Sequence, residues 1–350
     1  MGSCTTRTTN GWRRWALVVA SFAIGASLLA GCGSAQDGPA ASDAGTGAGG
    51  TFPVTVEHAF GATTIDRAPK RVVALGYTDS ETLLALGVKP LGMTDQYPNP
   101  PGQSPDVNTQ WPWVKSLWGD AKPAIVQTLE TSAPDYEKIA SLRPDLIIAV
   151  YSEIDKAAYD RLSQIAPTVG RTKTEKELFS APWQDNARQI GKALGRPEVI
   201  EADIKRIDEQ VAATRRAHPE FANQTAVALS WYKDSVAPFT STDVRGRLLA
   251  SLGFKSVPAI DRIAGDKFYT TLSPERLDLV NVDRIFMIGD AADQQAIKNF
   301  PLFANLPAVR AGKVTYLLDS QGPAIGAALA GSTVLSLPYA IDQISQLTKQ

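Results

Sequence analysis

From Val54 onward the chain alternates short β-forming runs with amphipathic helical stretches, and it does so twice over. Val54-Thr55-Val56 and Thr63-Thr64-Ile65 flank His58-Ala59-Phe60-Gly61 and predict a small hairpin. Arg71 to Gly76 predicts a buried strand, Asp79 to Leu86 an amphipathic helix closed by Gly87, and Leu91-Gly92-Met93 the next strand. Tyr136 to Leu142 makes two helical turns stopped by Pro144, and Leu146 to Val150 is extended. Tyr159 to Ile165 is helical again, before an extended Thr168-Val169. The second half repeats the grammar. Ala226 to Ser230 is extended, Leu248-Leu249-Ala250-Ser251-Leu252-Gly253 echoes Leu83-Leu84-Ala85-Leu86-Gly87, and Pro274-Glu275-Arg276-Leu277 precedes the strand Arg284 to Ile288. Strands alternating with helices predict parallel sheets with crossover helices, and two copies predict two Rossmann-like α/β lobes.

Between the copies, Ile190, Ala193 and Leu194, then Ile200, Ile204, Ile207 and Val211, recur at helical spacing with charges elsewhere. Gly195-Arg196-Pro197 divides this stretch into a first helix and a long second one reaching about Arg216, roughly 29 Å at 1.5 Å per residue. A linker of that length crosses from lobe to lobe and is stiff, so the expectation is limited rocking rather than wide hinge closure. The expected organisation is an N-terminal lobe over residues 51–184, linker helices over 185–218 and a C-terminal lobe over 219–350.

The N-terminus has a different character. Arg7, Arg13 and Arg14 precede the apolar run Trp15 to Leu29, too short for a comfortable transmembrane helix and followed by small residues. Residues 1–31 therefore predict an export signal. Gly33 to Gly50 holds almost nothing to bury and predicts, with Cys32, a flexible tether over 32–50 of roughly 25 Å reach. Loss of the three arginines in 1–31 leaves 32 bases against 36 acids, a net charge of −4. With no basic excess, nucleic acid has no electrostatic reason to bind. Cys4 and Cys32 are the two cysteines, so the folded part has no thiol for a disulfide, a nucleophile or a metal.

Leu29-Ala30-Gly31-Cys32 resembles the lipobox of bacterial lipoproteins, which implies cleavage before Cys32 and lipidation of its sulfur. Two acyl chains give stable anchoring where one is marginal. Behind it, five stretches in order are similar to the helix-linked substrate-binding lipoproteins of ATP-binding-cassette (ABC) importers for iron-siderophores, haem and cobalamin. They are Pro69 to Leu75, Leu84 to Gly92, Ile139 to Ile148, Leu272 to Leu277 and Leu306 to Val314. The iron-siderophore branch is closest around Gly76-Tyr77-Thr78 and Trp111-Pro112-Trp113. The resemblance implies a monomeric binding protein, not an enzyme, held on the outer face of the cell membrane. It would capture a ferric siderophore in a cleft between the lobes and pass it to a permease powered by its own ATPase. Haem or cobalamin is the alternative cargo, with Tyr77 or Tyr151 as a possible haem ligand. The resemblance also implies that one surface glutamate per lobe docks on permease arginines, here Glu137 and Glu275, although an acid in a helix's first turn also simply stabilises that helix.

In open α/β sheets ligands bind beyond the carboxyl ends of the strands. That rule selects Tyr77, Gln96, Tyr97 and Tyr151 in the first lobe, and Trp231, Tyr232, Lys233 and Asp290 in the second, with Arg245 and Arg262 in loops beside them. The insertion from Pro98 to Ala124 adds Trp111, Trp113 and Trp118. Aromatic faces suit the flat or greasy parts of a chelate, and guanidinium groups suit its oxygens. Equally, the tryptophans could pin the insertion to its own lobe, and Trp183 reads as packing. No cofactor is expected, and no protein ligand to the iron, which arrives inside its chelator. His58 and His218 are the only histidines and read as exposed structural positions, so the pocket that direct zinc capture needs is missing. No P-loop, nucleophile elbow or HExxH occurs. Asp79, Glu81, Asp95, Asp243 and Asp266 leave hydrolysis by paired carboxylates formally open, although Asp79 and Glu81 read as a helix's first turn.

Overall fold

The computed structural model describes residues 50–97, 107–129, 131, 133–320 and 322–348. The expected signal segment, Cys32 and all of the tether but Gly50 lie outside the described residues.

The chain opens with the antiparallel hairpin β1 (Val54–His58) and β2 (Gly61–Ile65), in which Val54 pairs with Ile65. Five parallel strands follow: β3 (Val72–Ala74), β4 (Gly92–Asp95), β5 (Ala124–Thr128), β6 (Leu146–Ile148) and β7 (Thr168–Val169). They lie in the order β5-β4-β3-β6-β7, so the strand order reverses between β3 and β6. Both strands are buried along their whole length, as expected of parallel strands covered on two faces. Val72, Ala74, Leu146 and Ile148 join one core cluster, while Val73 and Ile147 join another.

The second lobe is built on β8 (Ala226–Tyr232), β9 (Ser235–Pro238), β10 (Arg284–Gly289) and β11 (Val314–Leu318), in the order β11-β10-β8-β9. Here the all-parallel expectation fails at β9, which returns antiparallel to β8 through Lys233-Asp234. Both turn residues have positive φ, +48° and +57°, the requirement of a two-residue hairpin turn. Without a glycine or asparagine, that turn leaves little trace in the sequence.

Six helices govern the relation of the lobes: α1 (Asp79–Ala85), α2 (Trp183–Ala193), α3 (Pro197–Ala217), α4 (Val244–Leu252), α5 (Ile325–Gly331) and α6 (Ser336–Leu347). Gly195, at φ +65°, ends the turn after α2, and Pro197 starts α3 where its missing N–H costs nothing. A Cβ on Gly191 would lie 2.5 Å from Ile200 Cγ1, so glycine is what lets α2 and α3 pack this closely. Ile190 and Ala193 of α2 and Ile200, Ile204 and Ile207 of α3 share one apolar cluster with Ala74 and Ile148 of the first sheet and Ala228, Phe286 and Leu317 of the second. One continuous core therefore runs from sheet to sheet through the linker.

Both histidines are buried rather than exposed. His58 Nε2 lies 3.0 Å from Thr63 Oγ1 and its Nδ1 accepts Phe60 N–H, and burial holds its pKa below the usual imidazole value. His218 stacks on Phe221, with Glu220 and Ser345 each 2.9 Å from one ring nitrogen. Each ring thus has partners close by in sequence, and distant segments complete the set, Tyr159 for His58 and Ser345 for His218.

Candidate functional site

At the reversal between β3 and β6 the two strand-end loops are tied together by one carboxylate. Asp79, first residue of α1, accepts N–H groups from Gly76 at 3.1 Å, Val150 at 2.8 Å and Tyr151 at 3.1 Å. Gly76 is required for this approach, since a Cβ there would lie 2.1 Å from Asp79 Oδ2. Burial raises the Asp79 carboxyl to about 6, with the three N–H groups opposing that rise. The tie positions Tyr77 and Tyr151 next to each other, and Tyr77 N–H donates to the Tyr151 carbonyl at 2.9 Å. Asp79 and Glu81 do form a helix's first turn, as read from the sequence, but both are fully internal.

The carboxyl ends of the two sheets meet. Tyr97, just past β4, donates its hydroxyl to Asp319 Oδ1, just past β11, at 3.0 Å. Trp111 Nε1 donates to the Ser320 carbonyl at 3.1 Å, and Trp111 stacks on Trp113, which in turn packs against Tyr339 of α6. Arg247 donates to the Ser180 carbonyl at 2.6 Å, and Thr333 donates to Glu81. Burial raises Glu81 to about 7, against the hydrogen bond it receives from Thr333.

Arg245 sits within this junction. Its Nη1 reaches both carboxylate oxygens of Asp243 at 3.0 Å, and its guanidinium lies 3.9 Å from the centre of the Phe239 ring. Burial pushes the phenols of Tyr97 and Tyr151 upward and also raises the Asp319 carboxyl, while the Arg245 charge pulls all three back.

A row of rings crosses the junction as well. Phe179 has its ring 4.9 Å from Tyr151, 5.8 Å from Tyr77 and 5.9 Å from Phe268. Phe268 continues to Tyr269 at 5.0 Å, and Tyr269 to Tyr232 at 5.8 Å. Phe179 has φ +65°, a costly conformation for a bulky residue, and its N–H is held by the Glu175 carboxylate. Burial raises Glu175 to about 7. Beside Tyr77, a groove of 630 Å³ opens between the β5 and β6 ends, lined also by Gln127, Tyr136, Glu153, Asp155 and Arg161. That is within the usual size of small-molecule sites.

The structure thus brings Tyr77, Tyr97, Trp111, Trp113, Tyr151 and Arg245 to the junction. Tyr232 is 41% exposed at the end of the ring row, and Trp231 is half-buried against Phe300 of its own lobe. Gln96 is half-buried beside Tyr97, while Lys233 and Asp290 are exposed. Arg262 is exposed on the helix Pro258–Ala264. Trp118 is core, and Trp183 is half-buried at the start of α2. Glu137 and Glu275 are both exposed in first turns, the former on the α-helix Tyr136–Ser141 and the latter on a 3₁₀ helix, Pro274–Val280. The sequence reading missed Phe179 and Asp319. Asp319 ends the β-forming run Val314–Leu318 and was accessible on that rule, whereas Phe179 lies in an aperiodic segment with no signal. Among the described residues no group of three or more histidine, cysteine, aspartate or glutamate side chains could hold a metal ion, and no helix is long and apolar enough to cross a membrane.

Comparison with known proteins adds an independent finding. A family profile described as periplasmic binding protein matches residues 72–321. The probable siderophore-binding lipoprotein YfiY of Bacillus subtilis is 28% identical, over 80% of this chain and 85% of its own. A periplasmic solute binding protein from Mycobacterium smegmatis superposes with a TM-score of 0.72 at 30% identity, covering 84% of this chain and 96% of that one. Staphylococcus aureus SirA complexed with staphyloferrin B superposes at 0.67 with 27% identity, over 84% and 98%.

Proposed function

Because the chain belongs to the periplasmic binding protein family, we propose that it is the substrate-binding component of an ABC importer, taking up a ferric siderophore between its lobes and delivering it to the membrane permease. The observation that carries this reading is the meeting of the two sheets at their carboxyl ends, where Tyr97 and Tyr151 lie near the half-buried Arg245 guanidinium, Trp111 packs on Tyr97 and Tyr77 donates its N–H to the Tyr151 carbonyl. Relatives with printed siderophore cargoes, YfiY and SirA, support the cargo class. Iron is then cargo held by its chelator, and the chain supplies affinity rather than catalysis.

The finer assignments belong to the same proposal. Tyr77, Tyr97, Trp111, Trp113, Tyr151, Trp231, Tyr232, Arg245 and Arg262 would face the chelate, and Glu137 and Glu275, exposed on separate lobes, would meet permease arginines. Complementary charge at such a contact speeds encounter and sets orientation. Lipidated Cys32 would hold the protein at the membrane, with residues 32–50 as tether, 51–184 and 219–350 as lobes, and 185–218 as linker.

The test is retention of iron. Purified protein is incubated with a mixture of ferric siderophores and haemin, desalted and assayed by mass spectrometry for iron and for the compound that carries it. Equimolar iron with its chelator is the expected outcome. Retention of haemin in place of every siderophore would move the cargo to haem, and retention of nothing would defeat the importer reading.

A further inference from the structure

The crevice at the reversal between β3 and β6, where an open α/β sheet is expected to take its ligand, is filled by a residue of the chain itself. The Phe179 ring lies against Tyr77 and Tyr151, in the loops that follow those two strands, and it also meets Phe268 of the second lobe. A chelate lodged in the groove beside Tyr77 would reach this row of rings at its first member.

Phe179 is held there against its local preference. Its φ of +65° is a backbone conformation that a bulky side chain adopts only at a cost, and its N–H is bound by the Glu175 carboxylate.

The segment that carries Phe179 has little else to hold it. Between Thr172 and Ala181, Phe179 is the one buried residue, while Lys173, Thr174, Lys176, Glu177 and Leu178 are exposed. Lys173 pairs with Glu57 at 2.9 Å and Thr174 donates to Asp185 at 3.0 Å, which ties the start of the segment to the hairpin and to α2. Beyond these, the N–H groups of Glu175, Glu177, Phe179 and Ser180 all go to acceptors within residues 172–180. Arg247 on the Ser180 carbonyl ties its far end to the second lobe. Segments with so few buried apolar contacts open at low free energy. The lobes, by contrast, share one core through α2 and α3, so room for a cargo comes more readily from residues 175–180 than from spreading the sheets.

We infer, on the siderophore reading above, that Phe179 is a placeholder: its ring occupies the cargo's position in the empty cleft, and the bound chelate displaces it together with residues 175–180. A flat or apolar face of the chelate then takes over the contacts with Tyr77, Tyr151 and Phe268, and the backbone strain at Phe179 is released. Affinity for cargo is reduced in proportion to the fraction of molecules in which Phe179 is in place.

The test uses the purified full chain and whichever of a ferric tris-hydroxamate, a ferric tris-catecholate and ferric citrate it binds. Affinity is read by tryptophan fluorescence, and hydrogen exchange of the amides in 172–180 by mass spectrometry. Cargo is expected to speed exchange at Glu175, Glu177, Phe179 and Ser180 by at least about fivefold. Phe179→Ala is expected to tighten binding at least about threefold. Glu175→Ala, which removes the acceptor that holds Phe179 and leaves the ring, should shift affinity in the same direction. Exchange that slows or stays unchanged on loading, or weaker binding by Phe179→Ala, would make Phe179 a fixed contact, overturning this inference and leaving the siderophore reading intact. If Phe179→Ala does not fold, exchange in the unaltered chain decides alone. Binding of none of the three chelates would overturn both.

Discussion

At the scale of single residues, the junction of the lobes is held by carboxyl groups that burial makes reluctant to ionise. Glu81 is the clearest, raised from 4.5 to about 7 while it accepts the Thr333 hydroxyl from the far end of the chain. Between those two values the folded protein keeps a proton that the unfolded chain has released. Stability therefore falls as pH rises from about 4.5 to 7 and levels off above, by an amount on the order of 3 kcal/mol from this group. Glu81→Gln cannot ionise and still accepts from Thr333. Its urea midpoint should fall less between pH 5 and pH 8 than that of the unaltered protein, with Asp79 and Glu175 supplying the slope that remains. Identical slopes would mean that Glu81 is ionised throughout. Such groups were only half legible in the sequence. Asp79 and Glu81 announce a helix start by position, but nothing local says that this helix start lies under another lobe.

Among the elements, periodicity was a dependable guide where an element packs one face on the core. The pair α2 and α3 is readable because Ile200, Ile204 and Ile207 recur with the helix, and β3 and β6 because they are apolar throughout. The antiparallel β9 was not, since its turn uses Lys233-Asp234 in place of the residues that advertise positive φ. Glu137 and Glu275 belong to this scale, each placed by the first turn of a helix that leads into a sheet strand, β6 and β10 respectively. The double variant Glu137→Ala, Glu275→Ala should abolish iron uptake in cells while cargo affinity, measured on the purified protein, stays unchanged. Normal uptake, or a large loss of affinity, would place the docking contact elsewhere.

For the whole molecule, the proposed function makes attachment and capture separate properties. Cys32→Ala should move the protein from the membrane fraction to the soluble fraction and leave chelate binding intact, and continued tight membrane residence would sink the lipobox reading. The repeated alternation of strands and helices was enough to determine two α/β lobes and a helical linker, because it is written in side-chain periodicity, a property of neighbours along the chain. The family resemblance was legible for a similar reason, since its motifs are contiguous. Which side chains share the junction was decided only by the tertiary structure. Tyr97 and Asp319 are 222 positions apart, and Glu81 and Thr333 are 252 apart. Pairings of that kind depend on how two sheets are set against each other by a shared core, and no local pattern encodes that placement. The same holds for Phe179, whose strained backbone is sustained by the Glu175 carboxylate and by rings from both lobes.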